Sequence, residues 1–282
     1  MVSHLYRIST IIVKYFLLLY AVVGESGNYQ DNSTTAIRMT PDFTVIYKSS
    51  GLKVYKRKTL DNKLEFVTVV NTNKAKVKHL TGNLSKSNHN KIYKKSLTEF
   101  WQDEKKIDDN AQQLKVITNG TYFSTKNNPT GVAFGLKIPG RRPIYGYGVS
   151  KEYIGQIRTL SWNNKTAVSF IQTYMVQTFR ISQNVVGGLD ITANKSAREY
   201  LPRTFVGVMD QDNDGLTETI VFYSGNYTRQ IDASTTLKHF GVKSSMMLDG
   251  GGSTGLILEG QSLIHTNRTL PHALAIYSIT NQ

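Results

Sequence analysis

Along much of this chain apolar and polar residues alternate with a period of two rather than 3.6, the pattern of half-buried strands. Asp42 to Lys48, Leu52 to Lys58 and Leu64 to Val70 are short segments rich in Val, Ile, Tyr and Phe, separated by Ser-Ser-Gly and Asp-Asn turn signals. A polar stretch from Thr81 to Lys95 predicts a long loop. Ser96 with Glu99 three residues on forms a capping box, and Leu97, Phe100, Trp101 and Ile107 give the helix it opens one apolar face. Further strands are predicted over Leu114 to Thr118, Val132 to Ile138, Ala167 to Ile171, Thr204 to Met209, Thr219 to Tyr223, Ser245 to Leu248, Gly255 to Glu259 and Ala273 to Ile279. A short helix is predicted over Ser234 to Phe240, closed by Gly241. Strands outnumber helices and do not alternate with them regularly. The expected fold class is therefore α+β: a single strand-rich domain with a mixed, largely antiparallel sheet and a few peripheral helices.

The N-terminus follows a different pattern. Arg7 precedes a mostly apolar run from Ile11 to Val23, which Gly24, Glu25 and Ser26 break, the layout of a signal peptide. Lys14 interrupts the run, and the uncharged stretch from Tyr15 to Gly24 is shorter than the ~20 residues a spanning helix needs. The expected division is a signal peptide over 1–26, a lead-in over 27–50 and a catalytic domain over 51–282. The expected location is secreted, or periplasmic and cell-envelope, with membrane association only if the first segment is retained.

Composition adjusts this picture in two places. With 282 residues, 39% of them hydrophobic, the chain can bury a core large enough to do without disulfides, so the absence of cysteine is compatible with export. It also excludes thiol nucleophiles, thiolate metal sites and iron–sulfur clusters. The net charge of +14 is uneven: from Lys48 to Lys106 fifteen Lys or Arg stand against five Asp or Glu. Many of these lysines (Lys53, Lys56, Lys58, Lys74, Lys76, Lys78) are scattered along predicted strands with no nucleic-acid module beside them. They suit a solvated basic face or attraction to an acidic glycan, and nucleic acid is not an expected partner.

The strongest candidate for chemistry is the run Met246-Met247-Leu248-Asp249-Gly250-Gly251-Gly252-Ser253, an apolar strand entering three glycines beside a carboxylate. Glycines there let backbone amides approach a ligand closely, which suits the anionic oxygens of phosphate. A tight hairpin with an incidental Asp is the plain structural alternative. Gly251-Gly252-Ser253-Thr254-Gly255 also fits the G-x-S-x-G elbow of serine esterases, but that motif requires a helix after the serine, where Leu256 to Leu258 reads as a strand. Glu259 with His265 or His272 would be its remaining partners. In Leu201-Pro202-Arg203-Thr204, Arg203 stands at the mouth of an apolar strand, where its planar fork suits a phosphate or carboxylate. Asn119-Gly120-Thr121-Tyr122-Phe123 lies at another strand end, with Asn119 suited to a sugar hydroxyl and Tyr122 or Phe123 to stacking.

Together with Asn267-Arg268-Thr269-Leu270-Pro271-His272-Ala273-Leu274, these segments resemble the phosphodiester glycosidase family over about Gly51 to the C-terminus. The chain departs from that pattern at Asn267, where an acidic residue commonly precedes the arginine, and at Thr121, where a smaller residue is usual. The resemblance implies hydrolysis of a sugar-1-phosphodiester in a phosphorylated or acidic glycan. Asp249, Arg203 and Arg268 would then be the catalytic residues, with substrate bound by Asn119, Gly120, Tyr122, Thr204, Gly250, Gly251, Gly252 and Ser253. On this reading the two arginines hold the phosphate, the glycine amides take its oxygens, and Asp249 activates water or stabilises the oxocarbenium charge. A non-catalytic carbohydrate-binding or envelope protein on the same scaffold is the competing class, and convergence of Asp249, Arg203 and Arg268 on one place separates the two.

A separate motif runs from Asp210 to Glu218. Asp210, Asp212 and Asp214 at alternate positions, then Gly215, Leu216 and Glu218, match a compact calcium loop rather than a full EF-hand, with Ca2+ in a structural role. A polar hairpin turn is its plain alternative. Sequons occur at Asn32, Asn83, Asn119, Asn164, Asn194, Asn226 and Asn267.

Overall fold

The computed structural model describes residues 42–59, 61–107, 112–150 and 153–279, so the expected signal peptide lies outside the described residues. Fifteen strands and three helices are present among them, and every strand pairing is antiparallel. The expected α+β class therefore holds only loosely: the domain is mostly β.

One sheet contains β1 (Thr44–Ser49), β2 (Leu52–Lys58), β3 (Leu64–Asn71), β11 (Thr219–Thr228), β10 (Leu201–Met209), β12 (Ser244–Met247), β9 (Asn184–Asp190), β7 (Ile157–Asn163) and β8 (Val168–Thr173) in that order, with β6 (Leu136–Lys137) also on β9. The other has the order β14 (Gln261–Ile264), β13 (Leu256–Leu258), β5 (Gln112–Asn119), β15 (His272–Ile279), β4 (Ala75–Thr81). β1, which lies within the expected 27–50 lead-in, is an edge strand of the large sheet.

The sheets pack face to face, as the alternation requires. Val54, Phe66, Val206, Phe222 and Met246 of the large sheet meet Val77, Val116, Leu274 and Ile276 of the small one. Their neighbours one residue along point outward and bury a second layer on each side. On the large sheet Val67, Phe205, Val221 and Tyr223 pack with Ala233 and Leu237 of α3 (Gln230–His239). On the small sheet Ile117, Ala273, Ala275 and Tyr277 pack with Leu97 and Phe100 of α1 (Leu97–Lys105). The remaining helix, α2 (Val176–Ile181), buries Phe179.

The Ser96 capping box forms with both of its hydrogen bonds. The helix ends at Lys105, two residues short of what its apolar pattern implied, and Ile107 is exposed. Of the expected 132–138 strand only Leu136–Lys137 forms a strand, while Val132 makes an isolated bridge with Phe123. Lys76 and Lys78 lie on β4 and Lys48 on β1, all at sheet edges, where charged side chains discourage edge-to-edge pairing with another chain.

Candidate active site

Two strands from different sheets end at the same place. β5 leads into Asn119 and Gly120, and β12 leads through buried Leu248 into Asp249. The turns are tied across the gap: the Asp249 amide donates to the Gly120 carbonyl at 3.1 Å, and Asn119 Nδ2 donates to the Asp249 carbonyl at 2.6 Å. Asn119 Oδ1 accepts from Thr204 Oγ1 at 2.7 Å and from the Gly255 amide at 3.2 Å. Asn119 and Thr204 were expected to bind substrate. Both are buried, and their polar groups are engaged by this network, so they form the floor of the site. Full burial of Asn119 also closes its sequon to a glycan on the folded domain.

Gly251–Ser253 forms a single 3₁₀ turn. A side chain at Gly252 would lie within 2.8 Å of Arg268 Nη2, so glycine there lets the guanidinium rest on the backbone. Arg268 Nη1 donates to Ser253 Oγ at 3.1 Å. Ser253 in turn hydrogen-bonds the Asp249 carboxyl, and the Gly250 amide donates to Asp249 Oδ1 at 3.1 Å. Among the described residues the amides of Gly251 and Gly252 have no backbone acceptor, as expected at the start of such a turn. Ser253 is fully buried between an arginine and a carboxylate and is followed by β13 rather than a helix. No nucleophile elbow is formed.

Burial pushes the Asp249 carboxyl up to about 6, against the opposing pull of the Ser253 hydrogen bond, the Arg268 charge, the Gly250 amide and the Lys195 charge. Tyr122 stands next to it, half-buried and edge-on to Phe134 at 5.4 Å, with its phenol held well above the usual range by burial and by the Asp249 charge. A carboxyl poised near neutrality, flanked by cations and backed by an aromatic ring, can exchange a proton with a bound water.

Arg203 behaves otherwise than expected. Its backbone lies beside Gly250, but its guanidinium donates to the carbonyls of Lys195 (2.7 Å), Ser196 (2.7 Å), Glu199 (3.2 Å) and Thr228 (3.4 Å). Burial is the main influence on it and lowers its pKa. Asp249 and Arg268 thus converge, while Arg203 secures the 195–199 loop. That loop brings in Lys195, which sequence reading passed over because a lysine between two polar residues carries no motif.

Behind the site lies a histidine pair, His272 buried and His79 half-buried. The Thr121 amide donates to His272 Nδ1 at 3.2 Å, and His272 Nε2 lies 2.9 Å from His79 Nδ1. Burial drives the pKa of His272 down to about 3, and that of His79 well below the usual range, where His272 adds to the effect. A side chain on Gly120 would overlap His272 Nδ1 at 1.9 Å. Gly120 is therefore required for packing, and it supports Asp249 through its carbonyl.

At the opposite end of β10, Asp210, Asp212, Asp214 and Glu218 each bring a carboxylate oxygen to within 4.8 Å of the others. Asp210 Oδ2 accepts from the Gly215 amide at 3.0 Å, and Glu218 Oε1 from the Gln211 amide at 3.1 Å. Asp210 Oδ1 and Glu218 Oε2 are buried and have no partner. Unpaired acceptors in that position are costly, and a hard cation would satisfy them, so the donor set fits a metal ion.

The model of the phosphodiester glycosidase family matches residues 102–277, which include all of these residues except His79. Among solved structures the chain is similar to the zebrafish N-acetylglucosamine-1-phosphodiester alpha-N-acetylglucosaminidase catalytic domain, described as auto-inhibited by pro-peptide. The identity is 14%, covering 92% of this chain and 87% of that one, with a TM-score of 0.54. It is also similar to a hypothetical protein from Synechocystis, at 12% identity over 85% of this chain and 64% of that one, with a TM-score of 0.52. At these identities the likeness is one of fold. No curated protein matches.

Proposed function

Because this chain belongs to the phosphodiester glycosidase family, we propose that it hydrolyses a sugar-1-phosphodiester bond in a phosphorylated or acidic glycan, with Asp249 as its central catalytic residue. The observation that carries this reading is the convergence of a carboxyl with a pKa of about 6, the Arg268 guanidinium and the open glycine turn.

In the reaction, water adds its oxygen to the anomeric carbon while the bond from that carbon to the phosphate oxygen breaks. Asp249 takes the water proton, and the phosphate leaves as a monoester anion that needs little protonation. That leaving group explains how one carboxylate suffices where ordinary glycosidases need two. Among the described residues Arg268 donates one side-chain hydrogen bond, to Ser253, which leaves its other donors for phosphate oxygens. Tyr122 offers an apolar face to the sugar ring. The non-catalytic alternative is disfavoured by the raised Asp249 carboxyl, which a binding site has no need to maintain at a cost in stability. A screen of sugar-1-phosphodiesters with the wild-type protein and Asp249→Asn tests the assignment. Turnover of at least one substrate, lost in the variant, is expected; equal turnover by both proteins rules the mechanism out.

We further propose that the Asp210–Glu218 loop binds Ca2+ in a structural role, through the carboxylates of Asp210, Asp212, Asp214 and Glu218 and the carbonyl of Leu216. The support is the pair of orphaned buried oxygens on Asp210 and Glu218. Export to the cell exterior or envelope is proposed from the N-terminal sequence pattern alone.

A further inference from the structure

We propose that Lys195 is a second phosphate-binding side chain beside Arg268, and that buried Arg203 acts as the positioning residue that fixes it there. The inference rests on the function proposed above. It begins from a lysine that has no carboxylate partner among the described residues. Lys195 Nζ lies 5.6 Å from the centre of the Tyr122 ring and 5.7 Å from that of Tyr153. Two aromatic faces orient an ammonium without neutralising it, so its charge stays available to a ligand. The same charge reaches Asp249 and opposes the rise that burial imposes on its carboxyl. Lys195, Tyr122 and Asp249 therefore share one patch.

The backbone that carries Lys195 is held unusually tightly for a loop. Arg203 accepts no role at the surface and binds the carbonyls of Lys195, Ser196 and Glu199 from below. Ser196 has φ +53°, a left-handed conformation that costs a non-glycine residue energy and persists only where surrounding contacts enforce it. The Gln230 amide on α3 adds a further bond to the Ala197 carbonyl. A buried guanidinium anchoring a strained loop makes physical sense if the loop presents a group that must not move.

The charge count gives Lys195 its task. A phosphodiester carries one negative charge and must approach the carboxylate of Asp249, so Arg268 alone leaves the assembled site with an excess negative charge. Lys195 balances it. As the glycosidic bond breaks, the departing monoester gains a second charge, and a fixed cation is then worth more in the transition state than in the ground state.

The experiment compares Lys195→Met, Lys195→Arg, Arg203→Lys and, as a charge control, Arg198→Met on the same loop. Calorimetric titration with inorganic phosphate is followed by kinetics on a turned-over sugar-1-phosphodiester and by thermal melts. Lys195→Met is expected to weaken phosphate binding about tenfold and to lower kcat about 100-fold, with KM changing much less. Its acid limb should move to higher pH, because Asp249 loses a neighbouring cation. Lys195→Arg should recover most of both effects, Arg198→Met should match wild type, and Arg203→Lys combined with Lys195→Met should add little to the latter alone. Wild-type phosphate affinity and rate in Lys195→Met, or an equal loss in Arg198→Met, would overturn the proposal. If the wild-type protein cleaves no sugar phosphodiester while phosphate binding still depends on Lys195, the proposed activity fails and the anion site stands.

Discussion

Strand β10 has an Asp- and Gly-rich turn at each end, and the two turns treat their carboxylates in opposite ways. At its start lies the Asp249 turn, with one carboxyl whose neighbours are a hydroxyl, an amide and two cations. At its end lies the Asp210–Glu218 loop, with four carboxylates drawn together, Lys243 as the nearby cation at 3.6 Å from Asp210, and two buried oxygens left without partners. A single half-buried carboxyl surrounded by donors suits the proton transfer proposed for it. Four carboxylates with orphaned oxygens could hold a metal ion. The same residue types thus separate by what surrounds them, which short motifs do not record.

The sharpest way to break this contrast is Asp249→Asn. At the active turn it should reduce turnover of a sugar-1-phosphodiester by about 10³-fold or more. It should also stabilise the fold at pH 7, because a carboxyl with its folded pKa raised to about 6 is disfavoured there relative to the unfolded chain. A gain of about 1 kcal/mol corresponds to about 2–4 °C in Tm. Loss of both activity and stability would mean that Asp249 is a structural residue.

At the other turn the largest effect should come from the metal. Saturating Ca2+, about 100 times its Kd, would stabilise the fold by about 2.7 kcal/mol, or roughly 5–10 °C in Tm. Asp212→Asn with Asp214→Asn, both exposed, should abolish that shift while leaving turnover of the wild-type kind. A melt indifferent to both Ca2+ and chelator would reduce the loop to a polar hairpin and remove half of the comparison.

Much of the architecture was legible in the sequence, since period-two patterning and one capping box place most strands and α1 correctly. What escaped had local reasons. β9 contains Gly187 and Gly188, which blur the alternation, and a side chain at Gly187 would lie 1.9 Å from the Phe134 carbonyl. α3 starts at Gln230, four residues before the expected start, with no side-chain cap to announce it. At the site, the placing of Asp249 at a strand end before a glycine turn was readable because the motif is contiguous. The hydrogen-bond partners of Asn119, Thr204 and Arg203 were not, because they depend on what the two sheets bring within reach. Polar residues near a motif look like ligands in one dimension, whereas the partners the structure gives Asn119, Thr204 and Arg203 are other groups of the protein.

The histidine pair separates the two ends by pH. Both His79 and His272 have folded pKa values depressed by burial, so the folded state stays neutral where the unfolded chain takes up protons. Their contribution is complete above about pH 6.5 and is lost progressively as the pH falls towards about 3. Tm should therefore drop between pH 7.5 and pH 5, with hydrogen exchange at Thr121 accelerating before exchange at Gly215. His272→Gln, which retains an acceptor for the Thr121 amide, should flatten the decline. An unchanged pH dependence in that variant would show that the acid sensitivity originates elsewhere.

The smallest expected effect distinguishes a supporting hydroxyl from a nucleophile. Ser253 stands between Arg268 and Asp249, and its hydrogen bond is the strongest of the influences that hold the Asp249 carboxyl down against burial. Ser253→Ala removes that bond but leaves the Arg268 charge and the Gly250 amide. The Asp249 pKa should then rise further, and the acid limb of kcat/KM should move to higher pH by a fraction of a unit to one unit, equivalent to at most about 1.4 kcal/mol. Well above that limb the rate should fall no more than about tenfold. A serine nucleophile predicts a different result: loss of activity at every pH, with no displacement of the limb. The pH profile of this one variant therefore decides whether the glycine turn serves the carboxylate it follows or the serine it contains.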